Sequence, residues 1–190
     1  MSRNLIILTH AQVRMDPDVP VPDWPLSDQG AARHQSFNLN PALDNVTAIY
    51  SSQEQKARDG AAIHAAHRSL TPVALQALHE NDRSATGFLR PAEFEEVADA
   101  FFAQPDQSVR GWETARAAQA RFVAAVRTLA QLDRTLGDIL IVAHGAVAAL
   151  LRCHLLGIDI TRTEDQPAGG GCWYSTDLDL TRPPLAWSVI

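Results

Sequence analysis

Two histidines stand where short apolar runs give way to polar sequence. His10 follows Leu5-Ile6-Ile7-Leu8-Thr9, and His144 follows Ile139-Leu140-Ile141-Val142-Ala143, with Gly145 next. In open α/β sheets, ligands sit at the carboxyl ends of the strands. Two imidazoles brought to one such edge supply a nucleophile and an electrostatic partner for it. The plain alternative is a pair of ordinary buried histidines. A third possibility is a metal site built from His10, His144, Asp16 and Glu80, whose residue types suit a metal but whose positions follow no ligand spacing.

The elements that must position these residues alternate along the chain. Each of the two apolar runs reads as a strand buried on both faces. After the first comes an irregular stretch rich in Pro and Asp, from Arg14 to Pro25. Ser27 then reads as the N-cap of a helix over Asp28 to Phe37, because its hydroxyl can accept from a free N–H of the first turn. The β-branched run Val46 to Tyr50 predicts a strand and the alanine-rich Gln53 to Ala66 its return helix. Thr71 to Leu75 predicts a third strand. Phe94, Val97, Ala98, Phe101 and Phe102 recur at helical spacing, so Pro91 to Ala103 reads as an amphipathic helix. Trp112 to Leu132 follows as a long one. Strand Asp138 to Ala143 and helix Ala146 to Leu156 come next, then strands over Trp173 to Leu180 and Ala186 to Ile190. Strands separated by helices imply an α/β three-layer sandwich, with a mostly parallel central sheet and helices on both faces.

At 190 residues and 46% apolar composition, the chain is long enough for one well-packed domain, and one domain is expected over 1–190. Twenty-two acidic residues against sixteen Lys and Arg give a net charge of −6 with no basic run, which argues against nucleic acid as a partner. No apolar stretch approaches the roughly 20 residues of a membrane span, and Met1-Ser2-Arg3-Asn4 leads straight into a strand; a cytoplasmic location is expected. Cys153 and Cys172 lack C-x-x-C spacing and read as free structural thiols. Gly169-Gly170-Gly171 precedes a strand rather than a helix, so it is not a nucleotide-type phosphate loop; it is either a close backbone approach to the pocket or a flexible turn. His34, His64, His67, His79 and His154 share no motif and read as structural or surface residues.

The order of these pieces resembles the histidine phosphatase superfamily, the phosphoglycerate-mutase-like fold. The resemblance runs from Leu5 to about Leu180. It is carried by strand-His10, Trp24-Pro25-Leu26-Ser27-Asp28-Gln29-Gly30, Tyr50-Ser51-Ser52 with Lys56-Ala57 and Ala61, Leu78-His79-Glu80, and Val142-Ala143-His144-Gly145. It implies two-step phosphoryl transfer without metal or cofactor. His10 would attack phosphorus, Glu80 would protonate the leaving oxygen and later deprotonate water, and His144 would face the phosphoryl oxygens. The expected ligand is a small phosphorylated molecule or phosphate, and hydrolysis fits this short chain better than mutase chemistry.

The family's cations are where this chain departs. Thr9 stands for the arginine before the nucleophile, Ala11 for the following glycine, Asp16 for a loop asparagine and Lys56 for the second arginine, while Gln53-Glu54 replaces Pro-Leu. Spread negative charge in the transition state gains most from fixed cations, and loss of one charge-assisted bond costs about 1.5–3 kcal/mol. Lys56 can still act as a point charge, and Arg14 or Arg83 can substitute as cations. Two readings follow: a divergent phosphohydrolase, or a catalytically silent phosphatase fold that binds a ligand or protein. Either way, the resemblance predicts that His10 and His144 face each other across the C-terminal sheet edge, with Glu80 and Lys56 in the same cleft. The sequence leaves substrate and oligomeric state open.

Overall fold

The computed structural model describes residues 3–190. Six strands form one sheet in the order β3-β2-β4-β1-β5-β6: β1 (Asn4–Thr9), β2 (Val46–Ser52), β3 (Val73–Leu75), β4 (Asp138–Ala143), β5 (Cys172–Asp177) and β6 (Ser188–Val189). β1, β2, β3 and β4 run parallel, whereas β5 and β6 close one edge antiparallel. The mostly parallel α/β architecture expected from the alternating pattern is therefore observed.

Helices α1 (Asp28–Phe37) and α2 (Gln55–Arg68) cover one face; α3 (Pro91–Ala103), α4 (Ala115–Leu132) and α5 (Gly145–Leu156) cover the other. Period-two alternation explains why β1 and β4 are apolar throughout. Ile6, Leu8, Leu140 and Val142 pack with Phe37, Ala57 and Ala61. Leu5, Ile7, Ile139 and Ile141 pack with Phe101, Phe122, Val126 and Leu150.

Several boundaries differ from the sequence reading by a residue or more, and three of the differences have a plain local reason. α2 begins at Gln55 rather than Gln53, because the Glu54 N–H is taken by Ser52 Oγ at 3.0 Å and Glu54 stays extended. α4 begins at Ala115 because Thr114 caps it, accepting from the Ala117 N–H at 3.1 Å, which leaves Trp112 in the preceding loop, buried among aromatic rings. β5 stops at Asp177, whose carboxylate accepts from the Thr181 and Arg182 amides and turns the chain. Ser27 does cap α1, accepting from the Gly30 N–H at 3.1 Å. Both cysteines are free and buried.

Candidate active site

The parallel register delivers the site residues. Thr9 of β1 is level with Ala143 of β4, so His10 and His144 leave the sheet side by side. Their ring centroids lie 5.2 Å apart at 67°. β2 flanks β4 on its other side and ends in the same direction, followed by Glu54 and Lys56; beyond it β3 leads through one short 3-10 turn to His79 and Glu80. Four parallel strand ends thus converge on one edge of the sheet.

His10 is fixed through its backbone and one ring nitrogen. Its N–H donates to the Ala143 carbonyl at 3.1 Å, and its own carbonyl accepts from the Gly171 N–H at 2.9 Å. Gly170, at φ +64°, lets this approach happen, since a Cβ there would stand 2.8 Å from the His10 carbonyl oxygen. The glycine run is therefore a close backbone approach, and Arg33 holds it by donating to the carbonyls of Gly170 and Gly171 at 3.0 Å each. The His10 ring lies with Nδ1 2.9 Å from the Ala11 carbonyl. A carbonyl only accepts, so Nδ1 carries the proton and Nε2 keeps its lone pair. Burial, reinforced by the Lys56 charge, pushes the His10 pKa down to about 4, leaving a neutral imidazole near pH 7.

His144 is fully buried, and among the described residues neither ring nitrogen has a hydrogen-bond partner. Its Nε2 lies 3.4 Å from Glu54 Oε1, off the line of a hydrogen bond. Burial pushes His144 well below its ordinary pKa, outweighing the opposing pull of Glu54. Glu54 also ion-pairs with Lys56, which is 3% exposed and donates to the Val21 carbonyl at 3.0 Å. Burial works against the Glu54 carboxylate, but the Lys56 charge and the Glu80 N–H at 2.9 Å hold its carboxyl below the usual range. With Lys56 already paired to Glu54, the arrangement is a carboxylate beside a neutral imidazole.

Glu80 reaches the start of α5, accepting from the Ala146 and Val147 amides at 3.3 and 3.2 Å and from the Asn81 N–H at 3.1 Å. These donors and Arg83 favour the anion, yet burial, with Glu54 nearby, raises its pKa. A carboxyl that burial makes a weaker acid than usual, beside a neutral imidazole, is suited to general-acid work. Arg83 stacks over Phe94 and Trp112 at 5.1 and 5.7 Å. Glu54, Glu80, Asn81 and Arg83 line a cleft of about 640 Å³, walled on the far side by Val21 and Asp23.

The remaining expected residues lie elsewhere. Thr9 is fully buried; its hydroxyl accepts from the Cys172 N–H at 2.9 Å and sits 2.5 Å from Gln166 Oε1. Gln166 presses against Gly145, where a Cβ would stand 2.5 Å from its side-chain nitrogen. Asp16 is exposed and caps its own turn, accepting from the Asp18 N–H at 3.0 Å, and Arg14 is exposed as well. His10, His144, Glu80 and Lys56 gather at one sheet edge, although of the four only Glu80 lines the cleft itself, whereas Asp16 and Arg14 belong to the exposed first loop. Among the described residues no three or more His, Cys, Asp or Glu side chains stand together as metal ligands.

The histidine phosphatase superfamily (branch 1) model matches residues 5–187. The chain belongs to the histidine phosphatase superfamily. No curated protein matches it significantly by sequence. Among solved structures it is similar to mycobacterial glucosyl-3-phosphoglycerate phosphatase, with 20% identity, 99% of this chain and 97% of that one covered, and a TM-score of 0.76. The complex of that phosphatase with inorganic phosphate gives 20% identity, 100% and 96% coverage, and a TM-score of 0.75. Alpha-ribazole phosphatase from Shigella flexneri gives 19% identity, 90% and 89% coverage, and a TM-score of 0.66. These likenesses establish the phosphoglycerate-mutase-like fold. Among the described residues no helix is long and apolar enough to cross a membrane.

Within this superfamily fold, three residues to which the sequence reading gave no role at the site stand beside or behind the two histidines. Glu54 is the carboxylate between Lys56 and His144; its signal was an acid two positions from the lysine in the cation slot. His34 and His64 are both fully buried and linked to each other at 3.1 Å. Their signal was position: His34 falls on the stripe of Gly30 and Phe37, and His64 on that of Ala57 and Ala61. A histidine on a buried stripe requires polar partners.

Proposed function

We propose that the protein is a divergent phosphohydrolase acting on a small phosphorylated molecule through a phosphohistidine at His10. The observation that carries this reading is the His10 ring. Its Nδ1 is committed to the Ala11 carbonyl and its Nε2 is free, beside His144. In the first step the Nε2 lone pair forms the N–P bond as the P–O bond to the leaving group breaks, and the Glu80 carboxyl gives its proton to the departing oxygen. In the second, the Glu80 carboxylate takes a proton from water as that water attacks phosphorus, freeing phosphate and His10. Arg83, Lys56 and an N–H of His144 supply the positive and donor character for the phosphoryl oxygens. A cleft of about 640 Å³ suits a small metabolite. The named activities of the mycobacterial and Shigella relatives support a phosphomonoester as the substrate class.

One observation favours the alternative, a catalytically silent phosphatase fold that binds a ligand or protein. Glu54 holds Lys56 and approaches His144, the groups that a phosphoryl group would need. On the enzyme reading Glu54 makes phosphate binding weak and turnover slow; on the silent reading it forbids both. Phosphate release from a general aryl phosphate, compared between the wild type and His10→Ala, decides. Slow turnover that vanishes in the variant supports the phosphohydrolase, and equal rates in the two proteins overturn it.

A further inference from the structure

Behind the nucleophile, α1 and α2 enclose a line of polar side chains that the phosphoryl-transfer steps do not use. The Ala11 N–H donates to His34 Nε2 at 3.2 Å, His34 Nδ1 lies 3.1 Å from His64 Nε2, and His64 Nδ1 lies 2.7 Å from Asn38 Oδ1. Arg68 closes the line, donating to the same Asn38 oxygen at 2.6 Å and to the Leu43 carbonyl at 3.2 Å. Both imidazoles and Asn38 are buried.

The protons in this line have one consistent placement. The Ala11 amide can only donate, so His34 Nε2 accepts and His34 carries its proton on Nδ1. His64 Nε2 must then accept, which puts the His64 proton on Nδ1, directed at Asn38 Oδ1. Arg68, which can only donate, independently makes that oxygen an acceptor. Read from either end, the result is two neutral rings, both Nδ1–H. Burial, helped by the charge of Arg33 at His34 and of Arg68 at His64, pushes each pKa down to about 3, so the rings stay neutral at physiological pH. The packing is built around them. A Cβ at Gly60 would stand 2.9 Å from His34 Cε1, so the glycine in the middle of α2 leaves room for this ring.

We propose that His34 and His64 are positioning residues for the His10 nucleophile, acting through the backbone of Ala11. Ala11 is held at its N–H by His34, and its carbonyl accepts from His10 Nδ1. The two groups flank the Ala11 α-carbon in successive peptide units, so holding the first restricts the rotation that aims the second, and with it the direction and the tautomer of the His10 ring, which leaves Nε2 as the attacking atom. The idea rests on the phosphohydrolase reading for its catalytic consequence but not for its structural content.

The test uses two variants and one measurement independent of turnover. His34→Leu keeps an apolar side chain of similar reach but leaves the Ala11 N–H unpaired. His34→Gln offers an amide oxygen to the same N–H. Nitrogen-15 chemical shifts of the histidine rings in the whole protein report each tautomer directly. Wild-type His10, His34 and His64 are each expected as Nδ1–H. His34→Leu is expected to turn His10 into a mixture of tautomers and to lower kcat about ten- to a hundredfold, the scale of a misplaced reacting group, with KM changed less than about twofold. His34→Gln is expected to restore both the single tautomer and most of kcat. A wild-type His34 or His64 found as Nε2–H overturns the proposal without any variant, as does an unchanged His10 tautomer in folded His34→Leu. If the tautomers behave as expected while the wild type releases no phosphate, the positioning stands and the phosphohydrolase reading falls.

Discussion

Glu54 carries the sharpest test of how this site treats an anion. In Glu54→Gln the side-chain oxygen can still accept from the Glu80 N–H, and the volume is unchanged, but the negative charge between Lys56 and His144 is gone. A phosphate dianion seated on those two groups would lie about 5 Å from the lost charge. At an effective dielectric constant near 20, that distance corresponds to roughly 3 kcal/mol of repulsion for each negative charge on the ligand. Partial exposure of the cleft and movement of Glu54 on binding take back a large share. A net gain of about 1.5–3 kcal/mol remains, a ten- to hundredfold tighter dissociation constant for phosphate or vanadate. The substitution also leaves Lys56, 3% exposed, with only the Val21 carbonyl as a named partner, so the ligand-free variant should lose about 1–3 kcal/mol of stability and recover it on adding phosphate. Calorimetric titration with phosphate, alongside thermal unfolding with and without it, measures both effects. A folded variant with unchanged affinity would show that phosphate does not bind between Lys56 and His144, and the site as drawn would be wrong.

Three further outcomes are expected. Glu80→Gln keeps the shape of the side chain but removes its proton, so turnover of a phosphomonoester with a poor leaving group should drop about a hundredfold, and much less for an activated aryl phosphate; equal losses on both substrates would remove Glu80 from the acid role. His10, His34 and His64 have folded pKa values of about 4, 3 and 3 against 6.5 when unfolded. The unfolded chain therefore binds protons first, so stability is unaffected by these groups above pH 6.5 and falls as pH drops towards 4. The slope is about 1.4 kcal/mol per pH unit for each histidine, and denaturant unfolding at several pH values would expose a flat profile as a contradiction. Thr9→Arg, the substitution that would restore the family cation, must push Gln166 and the Cys172 backbone aside and should cost about 1–3 kcal/mol in thermal unfolding; a Thr9→Arg variant as stable as wild type would mean that Gln166 swings freely out of this contact.

Much of the fold was legible in the sequence because its signals are local. The continuous apolar runs of β1 and β4 follow from burial on both faces, and Ser27 announces α1 through a bond three residues away. α1, α3 and β4 begin and end where their periodicity does. The pairing of His10 with His144 was also readable, since both end parallel strands, and the register of Thr9 with Ala143 then makes them neighbours. Partnerships between distant residues were not. Glu54 meets His144 across ninety positions of sequence, and His34 meets His64 across two helices, because packing of α1 and α2 on the sheet decides which side chains touch. The direction of Asp16 and Arg14, outward with the exposed turn, was likewise set by how the first loop folds over Trp24. Residue type and order therefore determined the sheet, its edge and the two histidines. The charge in the pocket and the buried line behind His10 were decided only by tertiary packing, since a desolvated polar group takes whichever partner the fold brings within about 3 Å.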